Sequence, residues 1–132
     1  MAITTNTSLA NLILDAIDAT FNSATLTIRT GSAPGANNTA TGTVLATITT
    51  PADAFAAASS RTKVKAGTWE DTSADATGTA AHFRLTNGTQ VLEGTVTATG
   101  GGGDMELVTT SLVATQPVTI SAFTLTSTNA GS

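Results

Sequence analysis

The stretch AAHFRLTNGTQVLEGTV, residues 80–96, decides the fold class because it predicts a β-hairpin. Apolar and polar residues alternate on both sides of Asn87-Gly88, and such alternation is typical of strands with one buried face. Asn-Gly is the dipeptide preferred in two-residue hairpin turns, because both residues tolerate positive φ. We therefore predict two antiparallel strands joined by a tight turn at Asn87-Gly88.

The register implied by this turn assigns the hairpin side chains to two faces. We expect Phe83 opposite Leu92 on the buried face and His82 opposite Glu93 on the exposed face. A histidine beside a carboxylate also occurs in catalytic sites, but the sequence contains no GxSxG nucleophile elbow. We interpret the pair as a surface contact and predict that the chain is not an enzyme and has no catalytic residues.

The composition of the whole chain extends the β prediction. Of the 132 residues, 30 are threonine, and β-branched side chains favour strands over helices. Only 11% of the residues are charged, against about 25% in typical soluble domains. The alternating runs predict a mainly β chain, an antiparallel β-sandwich of about seven or eight strands with one N-terminal amphipathic helix. This single domain is predicted over residues 8–128, followed by a flexible tail over 129–132.

The N-terminal helix is predicted from apolar residues at three-and-four spacing, with Thr7 or Ser8 as the N-cap. We expect the apolar stripe to pack on the sheet and the polar residues to face solvent. The polar face is acidic, which argues against binding to a lipid surface. The stripe consists of Leu9, Leu12, Ile13, Ala16, Ile17 and Phe21, and the polar face of Asn11, Asp15 and Asp18.

The basic residues give no sign of a nucleic-acid site. The formal net charge is −4, whereas nucleic-acid binders need clustered lysines and arginines to neutralise phosphates. Arg61, Lys63 and Lys65 form one cluster, and their spacing places them on one face of a predicted strand with Val64 inward. We interpret this face as solvated and expect no nucleic-acid partner.

Four further segments carry specific expectations about the backbone. Residues 31–42 are rich in glycine, asparagine and small polar residues and predict a long surface loop. The segment AFAAAS, 54–59, is compatible with either a helical turn or a buried strand. Gly100–Gly103 are expected to form a flexible hairpin tip, and a slip in the alternation between Ala122 and Phe123 predicts a β-bulge.

Metal and cofactor sites are not indicated by the residue types. A zinc site needs three or four convergent ligands, and the chain has one histidine and no cysteine. Asp71 and Asp75 are calcium-ligand types, but their segment lacks the further ligands of an EF-hand loop, so we favour a solvated turn. We predict no metal and no cofactor.

The candidate partner-docking residues are Ile3, Thr4, Thr5 and Trp69. Residues 1–7 predict an extended arm in which Ile3 is the large aliphatic among small polar residues. Such an arm suits strand addition to a neighbouring chain, although a frayed terminus without a role is equally compatible with it. Trp69, the only tryptophan, fits either a core anchor or an exposed interface residue.

Segments spread from about residue 9 to residue 126 resemble a group of small virion proteins of tailed bacteriophages. The resemblance lies in LTIRTGSAP (26–34), VLATIT (44–49), DTSADATGTAAHFRL (71–85) and TTSLVATQPVTISAFTLT (109–126). It implies a virion component and leaves head or tail open. The chain also lacks the basic start and apolar core of a signal peptide, so we expect synthesis in the host cytoplasm.

The function expected from this resemblance is structural. We expect a capsid decoration or cement protein that binds the major capsid protein, forms a homotrimer and has no membrane partner. A tail- or fibre-associated module is the nearest alternative, and its partner would be a tail protein. A carbohydrate-binding β-sandwich is a second alternative, although such modules usually stack sugars on exposed aromatic residues.

Overall fold

The structure is a computed structural model that describes residues 3–127, so the predicted tail lies outside the described residues. The predicted mainly β class with an N-terminal helix is confirmed, and the helix is interrupted at Ala16. The elements are α1 (Thr7–Asp15), α2 (Ile17–Phe21), β1 (Thr25–Arg29), β2 (Val44–Thr49), β3 (Thr62–Val64), β4 (Glu70–Asp71), β5 (Gly78–Thr79), β6 (His82–Thr86), β7 (Val91–Ala98), β8 (Met105–Leu107), β9 (Ser111–Leu112) and β10 (Val118–Thr126).

One curled sheet and one small sheet build the sandwich-like body. The large sheet has the order β2-β1-β6-β7-β8-β10-β3, with β4 also paired to β10, and β5 pairs with β9. The curl brings the two ends of the large sheet together, since the Thr47 backbone N–H in β2 donates to Asp71 Oδ2 in β4 at 3.0 Å. The enclosed side of the sheet holds the core.

The aromatic residues form the centre of this core. All four phenylalanines and the tryptophan are buried. Trp69 is 0% exposed, and its indole N–H donates to the Ala66 carbonyl at 3.1 Å. Its ring packs edge-on against Phe55, with centroids 5.4 Å apart. Trp69 is therefore a core anchor, and the expectation that it docks a partner is wrong.

The turn between β6 and β7 is longer than predicted. Residues 87–90 connect the strands, and Asn87 Oδ1 accepts the backbone N–H groups of Thr89 and Gln90 at 2.9 and 2.7 Å. Within this turn only Gly88 has positive φ, at 99°, whereas a type I′ turn needs positive φ at both central residues. The asparagine side chain thus organises a four-residue loop in place of the predicted tight turn.

The longer turn shifts the hairpin register by two residues. Phe83 pairs with Gly94 instead of Leu92, and Arg84 pairs with Glu93. Because side chains alternate with a period of two, this shift leaves Phe83 on the buried face, where it is 1% exposed. Its ring fills the space above Gly94, where a Cβ would lie 2.9 Å from the ring.

One strand pair departs from the predicted antiparallel pattern. β7 and β8 are parallel, and residues 99–104 connect them, although parallel strands usually need a crossover of about a dozen residues or more. Two glycines in the connection adopt positive φ of 86° and 81°. Gly101 and Gly103 lie against Thr97, where a Cβ would approach to 2.7 and 2.8 Å. The expectation of a hairpin tip at Gly100–Gly103 is therefore wrong.

Two other backbone expectations are resolved by the pairing. A bulge is present in β10, but the register shifts between Ile120 and Ala122, slightly before the predicted position. The segment 54–59 is extended and lies beside β3 through bridges that include Phe55 with Lys65. That segment therefore lies along the outer edge of β3 through isolated bridges, and it is neither a helical turn nor a buried strand, since only Ala54 and Phe55 are buried.

Candidate docking surface

The outward side of α1 is aliphatic. Leu9 is 48% exposed, Leu12 66% and Ile13 57%, and their spacing places them on one side of the helix. We call these three residues the outward α1 face. The expectation that they pack on the sheet is wrong. The helix is rotated so that part of the predicted core stripe lies on the surface.

A second apolar stripe on the same helices makes this rotation possible. Ala10 and Phe21 are buried, and Ile17 packs against the core. Leu14 lies between Ala10 and Ile17 along the chain and is half-buried. A helix that is apolar on two sides is typically covered on both. Ile17 and Phe21 of the predicted stripe thus pack inward as expected, and Ala10 and Leu14 take the inward positions expected for Leu9, Leu12 and Ile13.

The polar side of the helix faces the protein and meets a buried lysine. Lys63 is 0% exposed, and its Nζ lies 2.6 Å from Asp15 Oδ1 and 2.7 Å from Asp18 Oδ1. The expectation that Lys63 faces solvent is therefore wrong, whereas the Asp15 and Asp18 side chains, 40% and 39% exposed, contact both Lys63 and solvent. Val64, the predicted inward residue of β3, is 42% exposed. The alternation of β3 is thus inverted, because Lys63 points toward the two carboxylates.

The charges of this cluster stabilise one another. Burial acts to lower the pKa of Lys63, but the contacts with Asp15 and Asp18 outweigh burial, so the pKa is raised. The hydrogen bond from Lys63 lowers the pKa of Asp15, and a second one from the Ala58 backbone N–H acts in the same direction. Lys63 and Asp15 are therefore charged at neutral pH, and the helix is held by the contacts of Lys63 with both aspartates.

Hydrogen bonds to the backbone complete the attachment of α1. The Arg61 backbone N–H donates to Asn11 Oδ1 at 3.0 Å, and the Ala58 backbone N–H donates to Asp15 Oδ1 at 2.7 Å. Asn6 is the N-cap in place of the predicted Thr7 or Ser8, and its Oδ1 accepts the Leu9 N–H at 2.9 Å. The helix is fixed mainly through its polar side.

The arm that precedes α1 is tied to the protein at Thr5. The Arg61 guanidinium donates to Thr5 Oγ1 at 2.9 Å and also to the Thr5 carbonyl oxygen. Ile3 is 84% exposed and Thr4 is also exposed. Of the predicted docking residues, Ile3 and Thr4 are therefore accessible to a partner, whereas Thr5 is already hydrogen-bonded to Arg61 of its own chain.

The outward α1 face carries no charge. The chain has no charged residue before Asp15, and the charged residues of α1 and α2 are Asp15 and Asp18, which both contact Lys63. The face is thus aliphatic and neutral. Exposed apolar surface of this kind marks sites of contact with other macromolecules.

A second apolar feature lies near the start of β10. A cavity of about 190 Å³ opens there, and Val108 at its rim is 70% exposed. Its β10 residues Val118 and Thr119 pair with Asp71 and Glu70 of β4, and the Thr119 hydroxyl donates to Glu70 Oε2 at 3.4 Å, so the region borders acidic side chains. We call it the Val108 pocket, and it is lined by Val108, Thr109, Leu112, Pro117, Val118 and Thr119.

The hairpin residues that suggested a site hold a loop instead. Arg84 Nε lies 2.8 Å from Glu93 Oε2, and the Glu93 side chain is 3% exposed. Arg84 also donates to the carbonyls of Gly35 and Asn38 at 3.1 and 2.8 Å. Glu93 accepts the Gly35 N–H at 2.7 Å. The predicted surface loop 31–42 is therefore clamped onto the outer side of β6.

His82 belongs to the same clamp. It is 1% exposed and pairs with Thr95, so the predicted surface pair with Glu93 is wrong. Its Nδ1 lies 2.7 Å from the Gly31 carbonyl, which can only accept, so Nδ1 carries the proton. The hairpin faces are both covered, one by the core and the other by this loop.

The acidic segment 71–75 protects the edge of β2. Asp75 Oδ2 accepts the Thr47 hydroxyl at 2.8 Å, and the Asp75 backbone N–H donates to the Leu45 carbonyl at 2.8 Å. Asp71 accepts the Ser73 N–H at 2.9 Å. The two aspartates thus cover an edge strand. Over residues 3–127, no group of three or more histidine, cysteine, aspartate or glutamate side chains is placed to hold a metal ion.

The last observations concern the length of the helices and the similarity of the chain to other proteins. Within the described part of the chain, neither helix is long and apolar enough to span a bilayer. The chain matches no protein-family model, no curated protein and no solved structure.

Proposed function

We propose that this chain is a non-enzymatic structural protein of a phage virion, most specifically a decoration or cement protein on the assembled head. The observation that supports it best is the outward α1 face of Leu9, Leu12 and Ile13. This neutral aliphatic surface is held in place by the ion pairs of Lys63. A fixed surface of this composition is suited to docking.

The remaining surface fits the same function. Hydroxyl-bearing threonines replace charges over much of the chain, with 30 threonines and 11% charged residues. On a repeated lattice, many weak contacts act together, because each bound copy raises the local concentration of the next contact. Small apolar surfaces are then sufficient for stable attachment. The repeated lattice in this proposal is the capsid shell that the resemblance to virion proteins implies.

The accessible end of the arm is the proposed contact with the capsid shell. Ile3 is 84% exposed, whereas Thr5 is held by Arg61. Residues 3 and 4 are therefore presented to a partner from a fixed point. Ile3→Ser is expected to weaken binding to undecorated heads at least tenfold without lowering the Tm. Thr4→Ser, which keeps the hydroxyl, is the matched control.

A tail- or fibre-associated module is the second candidate, and it would use the same surfaces. The carbohydrate-binding alternative receives less support from the structure. Sugar-binding modules stack rings on exposed aromatic side chains, and all five aromatic residues of this chain lie in the core. No aromatic platform for sugar stacking is present in the described residues.

The experiment that tests the function locates the chain on the particle. Virions of the phage that encodes it are purified and analysed by mass spectrometry and cryo-EM. The expected result is many copies on the head surface, with α1 and the arm at contacts. Density on the tail would replace the decoration function by the tail alternative. Virions without the chain would overturn the structural function altogether.

A further inference from the structure

We propose that a partner protein inserts one extended strand into a gap in the large sheet, between the first half of β7 and the last residues of β10. β8 lies between these two strands, but it pairs only with residues 96–98 of β7 and with residues 120–123 of β10. Within the described part of the chain, residues 91–94 and 124–126 therefore have a neighbouring strand on one side only. The inference goes beyond the proposed function and does not depend on it.

The backbone of β7 directs unpaired groups into this gap. The Val96 N–H donates to the Ala81 carbonyl at 3.0 Å, so the even-numbered residues of β7 direct their backbone N–H and C=O groups to β6. The odd-numbered residues direct theirs away from β6. Val91 and Glu93 are odd-numbered, and no residue among 3–127 bonds to their backbone N–H or C=O groups. One wall of the gap is thus a row of free donors and acceptors.

The backbone of β10 forms the opposite wall in the same way. The Ser127 N–H donates to the Arg61 carbonyl at 2.9 Å, so the odd-numbered residues at this end of β10 face β3. Thr124 and Thr126 direct their backbone groups into the gap, and no described residue bonds to these groups. Unpaired strand edges are templates for a further strand, and here two such edges face each other.

The gap has the width of one strand. Neighbouring strands lie about 4.8 Å apart, so β7 and β10 are separated by roughly 10 Å where β8 lies between them. β8 does not extend into the gap because Asp104, just before it, caps the position with its side chain. Asp104 Oδ2 accepts the Thr95 backbone N–H at 2.9 Å, where a further strand residue would offer its carbonyl. Beyond Asp104, residues of both walls line one cavity of about 360 Å³.

The side chains of this cavity specify what the inserted strand carries. Phe83, Leu92, Phe123 and Leu125 form its apolar part, and the two phenylalanines belong to the core. Successive side chains of a strand point to opposite faces, so every second residue of the partner meets these four residues. An apolar cavity of roughly 150 Å³ accommodates benzene, so this cavity has room for about two aliphatic side chains. We therefore expect valine or isoleucine at alternate positions of the partner strand.

The charge at the closed end of the gap selects a basic partner. Asp104 lines the cavity, and Asp104 and Glu106 together line a smaller one beside it. Within residues 3–127 neither carboxylate forms an ion pair. A lysine or arginine at the adjacent end of the inserted strand complements them. The two termini of a second copy, residues 1–6 and 128–132, contain no basic side chain, so the partner is a different protein.

The first test measures binding of two capped peptides to the isolated protein by calorimetry. Acetyl-KTVTITV-amide and acetyl-VTITVTK-amide carry the lysine at opposite ends, so together they cover both directions of the inserted strand. At least one is expected to bind with one peptide per protein molecule. Replacing its lysine by glutamate is expected to weaken binding about fivefold or more. No binding of either peptide, or equal binding of the glutamate peptide, would overturn the proposal.

Amide hydrogen exchange, followed by NMR on the unsubstituted protein, locates the bound strand. The backbone amides of Val91, Glu93, Thr124 and Thr126 are expected to exchange about tenfold more slowly or less in the complex, because each gains an acceptor. Protection of the amides on only one of the two strands would mean addition to an edge and would overturn insertion. Protection that increases with protein concentration in the absence of peptide would assign the gap to a second copy and overturn the choice of partner.

A substitution in the wall of the gap provides the third test. Thr126→Pro removes an N–H that points into the gap, and a strand accepts proline where its N–H makes no ladder bond, so the Tm is expected to stay close to that of the unsubstituted protein. Peptide binding is expected to weaken about tenfold, because one hydrogen bond is lost. Thr126→Ala, which keeps the N–H, is the matched control. Equal binding by the two variants would overturn the proposal, and the exchange measurement decides if Thr126→Pro does not fold.

Discussion

Lys63 Nζ lies 2.6 Å from Asp15 Oδ1, and this contact joins a fully buried lysine on β3 to the inward side of α1. Asp18 approaches the same Nζ at 2.7 Å. Two carboxylates and a lysine thus occupy the place where an apolar helix stripe usually lies. Because the carboxylates turn inward to reach the cation, Leu12 and Ile13 turn outward. The ion pairs therefore determine which side of the helix is available to a partner.

Removing both negative charges is expected to destabilise the protein. Asp15→Asn combined with Asp18→Asn preserves side-chain size but leaves the Lys63 ammonium buried without a counter-ion. Because the two carboxylates are 40% and 39% exposed, solvent screens part of the interaction, and we expect a lower unfolding midpoint without the full penalty of a buried ion pair. Urea unfolding measures the loss, and Asp53→Asn at an exposed position is the control. An unfolding midpoint equal to that of the unsubstituted protein would show that Lys63 reaches water in solution.

Replacing the lysine is expected to be less costly than replacing its partners. In Lys63→Met the buried charge disappears, and the Asp15 and Asp18 side chains, 40% and 39% exposed, keep access to water. We expect Lys63→Met to unfold at a higher urea concentration than the double asparagine variant. The reverse order would mean that the carboxylates, and not the lysine, carry the desolvation cost.

The stability of the protein is expected to fall at both ends of the pH scale. The lowered pKa of Asp15 means that its contribution is complete above its ordinary value of 3.8 and is lost as the pH falls through the folded-state pKa. The raised pKa of Lys63 means that its contribution is complete below its ordinary value of 10.5 and is lost as the pH rises through the folded-state pKa.

Thermal unfolding from pH 2 to 12 measures both limbs. The Tm difference between the unsubstituted protein and Lys63→Met is expected to be constant between about pH 5 and 9 and to shrink toward either extreme. The chain has no tyrosine and no cysteine, so few other groups titrate on the alkaline side. Lys65→Met is the matched control. A difference that does not vary with pH would contradict the ion-pair interpretation.

Truncation of Phe83 tests whether its ring lies in the core. Its ring is 1% exposed and lies 5.2 Å from the Phe123 ring, edge to face. Phe83→Ala is expected to cost roughly 3–5 kcal/mol, because it leaves a cavity in the core. Phe83→Leu fills part of that cavity and is expected to cost less. An unchanged Tm for Phe83→Ala would place this side chain outside the core.

Arg84 is expected to control the order of loop 31–42. Arg84→Met leaves the Glu93 carboxylate, 3% exposed, without its counter-ion, at a cost of roughly 3–5 kcal/mol. The loop also loses the hydrogen bonds to Gly35 and Asn38. Limited proteolysis with proteinase K is expected to cut first within 31–42. Glu93→Gln, which keeps an acceptor, is expected to be cut more slowly, and uncut Arg84→Met would contradict the clamp.

The sequence by itself determined the β class, the helix and most strands of this protein. The period-two alternation of Leu26 and Ile28 is typical of a strand with one buried face, and both residues are fully buried in β1. The Asn87-Gly88 signal located the hairpin, and the burial of Phe83 followed despite the shift in register. These predictions are correct because the spacing of apolar residues and the turn dipeptide are local properties of the chain.

Only the tertiary structure decided which side of α1 faces out, where Lys63 lies and what covers β6. The orientation of α1 depends on Asp15 and Asp18 meeting Lys63, a residue distant from them in the chain. The loop over His82 and Arg84 likewise depends on partners distant in sequence. Ion pairs and loop closure are long-range, so residue patterns within a single segment do not specify them.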